Sequence, residues 1–206
     1  MPRQALTNDE RFWPPAMLIA ENLACLRGER AVFAGLSFTL APGEALLLTG
    51  ANGTGKSTLL RLLAGLLRPA EGHLQRPTPL RYLGHEDGLK PAFTATENLA
   101  FYARLAGAPA SGIARALDAL DLTPLAHLPA RILSSGQKRR LALARFALDD
   151  PGTTPLWLLD EPTTGLDAAA VARLGPLLSQ HRQAGGMLIA ATHIPLPLDA
   201  VKELRL

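Results

Sequence analysis

Short apolar runs alternate with longer amphipathic ones along this chain. Ala45 to Thr49, Leu156 to Leu159 and Met187 to Thr192 have the length and continuity of strands buried on both faces. Met17 to Leu26 alternates weakly and predicts a first strand. Ala31 to Leu40, with Val32, Phe33, Leu36, Phe38 and Leu40, predicts a second, followed by the turn signal Pro42-Gly43. A helix is expected from Gly55 to near Leu67, where Pro69 blocks its continuation. Gly72 to Pro79 reads as a clipped, proline-rich hairpin and Leu80 to Gly84 as another strand. Thr94-Ala95-Thr96-Glu97 is a capping box that opens a helical stretch over 94–128, broken near Gly107-Pro109 and at Pro124. Gly136 to Leu148 is amphipathic, with Leu141, Ala144, Arg145 and Leu148 at helical spacing. Ala168 to Gln183 predicts a helix ended by Gly185-Gly186.

Strands alternating with helices predict an α/β fold, a mostly parallel sheet with helices on both faces. Residues 1–16 are expected to be a loose arm. The Ala/Leu-rich stretch at about 86–135 is expected to form a helical subdomain. The 206 residues, 48% hydrophobic, suit one such domain with a real core.

Charge and cysteine content narrow the picture further. The net charge is +3, with 17 arginines against four lysines, an excess that permits an anionic partner without requiring one. The tripeptide Lys138-Arg139-Arg140 reads as a solvated helix face. Cys25 is the only cysteine, so neither an intramolecular disulfide nor a cysteine metal cluster is expected, and a reducing compartment is. Met1 to Pro15 lacks the features of a signal peptide, and no apolar run approaches the roughly 20 residues that span a bilayer.

Candidate chemistry begins at the third strand. Gly50-Ala51-Asn52-Gly53-Thr54-Gly55-Lys56-Ser57 fits G-x-x-x-x-G-K-[ST] between a strand and a helix that runs on through Thr58. Glycines let backbone N–H groups wrap a polyphosphate, and the helix start adds its positive dipole end. Lys56 is expected to reach the β- and γ-phosphates, and the Ser57 hydroxyl to ligate Mg²⁺. Leu156 to Leu159 runs into Asp160-Glu161, two carboxylates at a strand end, where α/β sheets hold their ligands. Asp160 suits a Mg²⁺ site and Glu161 a water poised for attack on the γ-phosphate. Without the phosphate loop, the same pair would read as a solvated turn. Leu133-Ser134-Ser135-Gly136-Gln137 precedes a helix and offers a second anion site, or an ordinary serine cap. His193, after the last apolar run, is a further γ-phosphate candidate.

Together these residues resemble the nucleotide-binding subunit of an ABC transporter over residues 17–195. Gly50 to Ser57 corresponds to the Walker A loop and Leu156 to Glu161 to Walker B. Leu133 to Gln137 matches the family signature, Pro162-Thr163-Thr164-Gly165-Leu166-Asp167 the dimer-contact loop, and His193 the switch histidine. The resemblance implies a P-loop ABC ATPase core (17–85 and 136–206 within a single 1–206 domain). A mostly parallel sheet, an N-terminal antiparallel β part and an inserted helical subdomain belong to that fold. It also implies ATP and Mg²⁺ as ligands, and a head-to-tail homodimer. There, Lys56 and Ser57 of one subunit and Ser135 and Gly136 of the other grip one γ-phosphate, driving an integral-membrane permease.

Two positions depart from that pattern. His85 stands where the family's loop glutamine falls, and Arg27 stands near the place of the aromatic residue that stacks on adenine, a contact that Arg27 or Phe33 would then supply. Cys25-Leu26-Arg27-Gly28-Glu29-Arg30, Leu36-Ser37-Phe38, Tyr82-Leu83-Gly84-His85 and the compact length resemble the ATP-binding subunit of the cytochrome c maturation haem exporter. That likeness implies a peripheral place on the cytoplasmic face of a bacterial inner membrane, with ATP hydrolysis tied to haem export or to release of a haem-loaded chaperone. No residue reads as a haem ligand, since Cys25 lacks a Cys-x-x-Cys-His context. An ABC ATPase for another cargo, a soluble ABC-type ATPase acting on nucleic acid and an inactive cassette stay open as alternatives. The single cassette without heptads argues against nucleic acid, and intact Lys56, Asp160, Glu161 and His193 against inactivity.

Overall fold

Helix α1 (Lys56–Leu63) is packed between two sheets. The computed structural model describes residues 17–28, 30–148, 153 and 155–206; the arm expected over 1–16 lies outside them. One sheet is antiparallel with strand order β2-β1-β4, formed by β1 (Leu18–Arg27), β2 (Arg30–Leu40) and β4 (Glu71–Gln75). The other is five-stranded and parallel throughout, in the order β5-β6-β7-β3-β8. Its members are β3 (Ala45–Thr49), β5 (Leu80–Leu83), β6 (Leu156–Asp160), β7 (Met187–Ala191) and β8 (Val201–Arg205).

Strand periodicity explains how both faces of the parallel sheet are buried. Leu46, Leu48, Leu156, Leu158 and Ile189 point to one face and pack with Leu59, Leu60 and Leu63 of α1. Ala45, Trp157, Leu159, Leu188 and Ala190 point to the other and pack under α2 (Ala95–Ala106), α3 (Gly112–Ala119), α4 (Ser135–Ala144) and α5 (Ala168–Gln183). Leu62, on the remaining side of α1, meets Ala20, Leu23 and Cys25 of the antiparallel sheet. The lone cysteine is thus a small apolar core residue.

Local chemistry sets the ends of these elements. Thr94 accepts from the Glu97 N–H and Glu97 from the Thr94 N–H, so the expected capping box starts α2. Asp167 caps α5 through the Ala170 N–H at 2.7 Å.

Two expectations are corrected, and one strand is added. Helix α1 stops at Leu63 rather than near Leu67, because Gly65 takes φ 78° and closes a Schellman turn. In that turn Gly65 N–H donates to Leu62 O and Leu66 N–H to Arg61 O. Residues 72–79 form no hairpin: β4 pairs with β1, whereas β5 pairs with β6 in the other sheet. Pro77 and Pro79 lie in the crossing and can donate to neither ladder. The added strand is β8, at the edge of the parallel sheet, which the apolar pattern does not mark.

Candidate functional site

All strands of the parallel sheet run the same way, so the segments after β3, β5, β6 and β7 leave from one edge. That edge gathers Gly50–Ser57, Gly84-His85, Asp160-Glu161 and His193. At Gly55, φ is 108° and a Cβ would lie 2.7 Å from Val32 Cγ1 and 3.3 Å from Phe33 Cδ1. Only glycine lets β2 lie this close to the start of α1. Ala51, Asn52 and Gly53 are exposed at the loop crest, and Thr54 Oγ1 donates to Ala51 O at 3.0 Å. Lys56 is buried, its Nζ donating to the loop's own carbonyls, Gly50 O at 2.7 Å and Ala51 O at 2.9 Å. Thr58 is half-buried in the first turn of α1.

Ser57 and Asp160 meet directly: Ser57 Oγ donates to Asp160 Oδ1 at 3.0 Å. Asp160 is only 2% exposed, and its other oxygen, Oδ2, is buried without a hydrogen-bond partner. An orphaned carboxylate oxygen beside a hydroxyl fits a hard cation that takes its remaining ligands from water and phosphate. Among the described residues no group of three or more His, Cys, Asp or Glu side chains could hold a metal by itself.

Glu161 follows with a left-handed φ of 49°, its N–H donating to Ala191 O at 2.8 Å. This backbone carries its carboxylate to the segment after β7. There His193 N–H donates to Glu161 Oε2 at 3.4 Å, and the His193 ring nitrogen Nε2 lies 3.5 Å from Glu161 Oε1. The same Nε2 is 2.9 Å from Asn52 Oδ1. The imidazole therefore bridges the phosphate-loop crest and the second Walker B carboxylate.

Two predicted groups stand apart from this contact set. Ser134 caps α4, accepting from Gln137 N–H at 3.2 Å, while Ser134 N–H donates to Gln137 Oε1 at 2.8 Å. Ser135 is exposed, and Gly136 lies so close to Gly165 O that a Cβ would fall 2.7 Å from it. His85 is exposed after β5 and lines an open cavity of about 520 Å³ with Arg61, Tyr82, Glu86 and Arg145. Burial pushes the Tyr82 hydroxyl pKa up there, keeping it a neutral hydrogen-bonding group.

Arg139 corrects the reading of Lys138-Arg139-Arg140 as a solvated face. It is 4% exposed and donates to Asp160 O at 2.6 Å, Glu161 O at 2.7 Å, Gly84 O at 3.2 Å and Asp87 Oδ1 at 3.0 Å. Arg140 donates to Leu120 O and Asp121 O, tying α4 to the end of α3. The available signal was helical position. Arg139 shares a stripe with Ala142, Leu143 and Phe146, all buried.

A glycine loop between strand and helix, with a hydroxyl–carboxylate pair at the neighbouring strand end, defines a P-loop nucleoside triphosphate-binding protein. The ABC transporter family model matches residues 33–164. Over 204 residues the chain is 51% identical to the cytochrome c biogenesis ATP-binding export protein CcmA of Rhodospirillum rubrum, covering 93% of this chain and 86% of that one. It is 50% identical to the protein of the same name from Gluconobacter oxydans, covering 92% and 87%. This chain belongs to the ABC transporter ATP-binding family, on the branch of those export proteins. As a family member it binds and hydrolyses ATP. The solved structure of an ABC transporter ATP-binding protein from Pyrococcus furiosus superposes with a TM-score of 0.80 at 22% identity, covering 93% of this chain and 98% of that one. At that identity it speaks for the fold alone.

Proposed function

We propose that this chain is the ATP-hydrolysing subunit of a cytochrome c biogenesis haem exporter, acting as a homodimer docked on an integral-membrane permease. The observation that carries this reading is the near full-length likeness, at 51% identity, to an export protein of that name. Among the described residues no helix is long and apolar enough to cross a membrane, so attachment through a permease fits the chain. The inner membrane's cytoplasmic face, where ATP is available, follows from the same reading.

The roles within the site follow from its contacts. Lys56 exchanges two loop carbonyls for the β- and γ-phosphate oxygens of ATP. Backbone N–H groups of Gly50–Ser57, with Thr58 in the following turn, hold the phosphate chain. Ser57 and Asp160 hold Mg²⁺, which supplies charge neutralisation of the phosphate oxygens. Glu161 orients the attacking water, and His193 fixes that carboxylate against Asn52 and contacts the γ-phosphate. Phe33, which packs against Gly55, offers an apolar contact for the base. Exposed Ser135, with Ser134, Gly136 and Gln137, completes the site of a second copy, and residues 86–135 act as a helical subdomain between the site and the permease. His85 takes the place of the loop glutamine. A haem-loaded chaperone is engaged indirectly, through the complex.

Complementation tests this reading. In a bacterium deleted for its own cytochrome c biogenesis ATP-binding export protein and supplied with the cognate permease, this chain is expected to restore c-type cytochromes. The Lys56→Ala chain is expected not to. An ATPase-active chain that fails to restore them would refute the haem role and favour another cargo. Purified Glu161→Gln chain is expected to retain ATP and to dimerise with it; a monomer at saturating ATP would refute the two-site dimer.

A further inference from the structure

We propose that Arg139 is a positioning residue for Glu161 that also ties the loop at 84–88 to the hydrolytic carboxylate. The inference rests on the reading of Glu161 as the residue that orients water. Glu161 is a non-glycine residue at φ 49°, a conformation that persists only where its surroundings hold it. Two backbone contacts hold it from opposite sides. Its N–H donates to Ala191 O at 2.8 Å, and its carbonyl accepts from Arg139 Nη2 at 2.7 Å. The same Nη2 donates to Asp160 O at 2.6 Å, so one guanidinium nitrogen spans the peptide that carries both carboxylates.

The other terminal nitrogen, Nη1, reaches Gly84 O at 3.2 Å and Asp87 Oδ1 at 3.0 Å. Arginine's planar fork is what allows one buried side chain to serve two segments at fixed relative angle; lysine offers a point charge instead. The far end of the same loop is tied to α2, because the Tyr102 hydroxyl donates to Gly88 O. Arg145 lies 4.3 Å over the Tyr102 ring. A continuous set of bonds therefore runs from α2 through Gly88, Asp87 and Arg139 to the Glu161 peptide. A displacement of the loop bears on the Glu161 carbonyl through a single rigid group. None of these contacts touches the phosphate loop, and the one to Asp160 is to its backbone carbonyl, while the Asp160 carboxylate is held by Ser57.

The test measures ATPase kinetics, ATPγS affinity and thermal melting for the full-length chain and its Arg139→Met, Arg139→Lys, Asp87→Ala and Arg139→Met/Asp87→Ala variants. Arg139→Met is expected to lose kcat on the order of 10²-fold, the scale of a misplaced catalytic group. KM and ATPγS affinity are expected to stay within about threefold. Arg139→Lys is expected to fall between that variant and wild type. Asp87→Ala is expected to lower kcat less than Arg139→Met and to add little in the double variant. Wild-type kcat in Arg139→Met overturns the proposal, as does a parallel loss of ATPγS binding in a folded variant. Additive effects in the double variant overturn the link to the loop. If Arg139→Met fails to fold, Arg139→Lys decides: full kcat there overturns the proposal. A wild-type chain without ATPase removes the underlying reading and this inference with it, an outcome distinct from active wild type beside active Arg139→Met.

Discussion

Ser57 and Asp160 are joined by a 3.0 Å hydrogen bond that links the first turn of α1 to the end of β6. The bond satisfies one carboxylate oxygen of Asp160 and leaves the other buried without a partner. An arrangement that strands a buried carboxylate oxygen is tuned for a ligand at the expense of the ligand-free protein. Asp160→Asn keeps the size of the side chain and removes its charge. Without Mg²⁺ and nucleotide, the variant is expected to melt no lower than wild type, while its ATPase falls at least about 100-fold. The melting rise that Mg²⁺ with ATPγS gives wild type is expected to shrink in the variant. A ligand-free melting point several degrees below wild type would show that Asp160 serves packing instead.

The His193 contacts predict a graded series. His193 Nε2 is 2.9 Å from Asn52 Oδ1 and 3.5 Å from Glu161 Oε1. His193→Ala removes the imidazole itself and is expected to lower kcat by about 10²-fold. Asn52→Ala removes only its anchor on the loop and is expected to lower kcat by roughly tenfold or less. Steady-state kinetics check the order, and an Asn52→Ala defect larger than that of His193→Ala would contradict it.

How far this architecture was legible depended on whether the deciding contact was local. The capping box at Thr94–Glu97 and helix α5 over Ala168–Gln183 are written in adjacent residues, and the structure has both. The apolar runs of β3, β6 and β7 were legible because strands buried on both faces need no alternation. Strand β8 was not, because Val201–Arg205 carries Lys202, Glu203 and Arg205 and sits at an edge, where half the strand faces solvent. The pairing of β4 with β1 depends on where the chain crosses between sheets, which composition over 72–79 does not encode. At the site, Lys56 and Ser57 could be placed from the glycine-loop motif, and Asp160, Glu161 and His193 from strand ends read beside that loop. Arg139 could not be, since burying a guanidinium requires four acceptors from two distant segments. A run of three basic residues reads as solvated until those acceptors are in view.

Close backbone approach predicts a cost at Gly136. A Cβ there would lie 2.7 Å from Gly165 O, a backbone atom with little freedom to yield. Gly165 itself has φ 75°, in the left-handed region that favours glycine. Gly136→Ala is expected to push the start of α4 away from the 162–167 segment and to destabilise the chain by about 1–3 kcal/mol. Chemical denaturation checks the magnitude. A neutral result would mean that this segment moves freely relative to α4.

Glu44, just before β3 and away from the phosphate loop, predicts a pH dependence of stability without one of catalysis. Its Oε2 accepts from Ala41 N–H at 2.8 Å and pairs with Lys202 Nζ of β8 at 2.6 Å. The Ala41 N–H first, and the Lys202 ammonium after it, hold the carboxyl below its ordinary value of 4.5. A carboxyl depressed in the folded state stabilises it at pH above the unfolded value, and that contribution is lost as pH falls through the folded value. Wild type is therefore expected to melt higher than Glu44→Gln at neutral pH, with the gap closing as the pH drops below about 4.5. Because the largest cause is a backbone hydrogen bond, 1 M NaCl is expected to narrow the gap without removing it, screening only the part due to Lys202. ATPase at neutral pH is expected to match wild type. Thermal melts from pH 3 to pH 7 decide the matter: a gap that widens toward acid would mean that the folded state favours the protonated carboxyl.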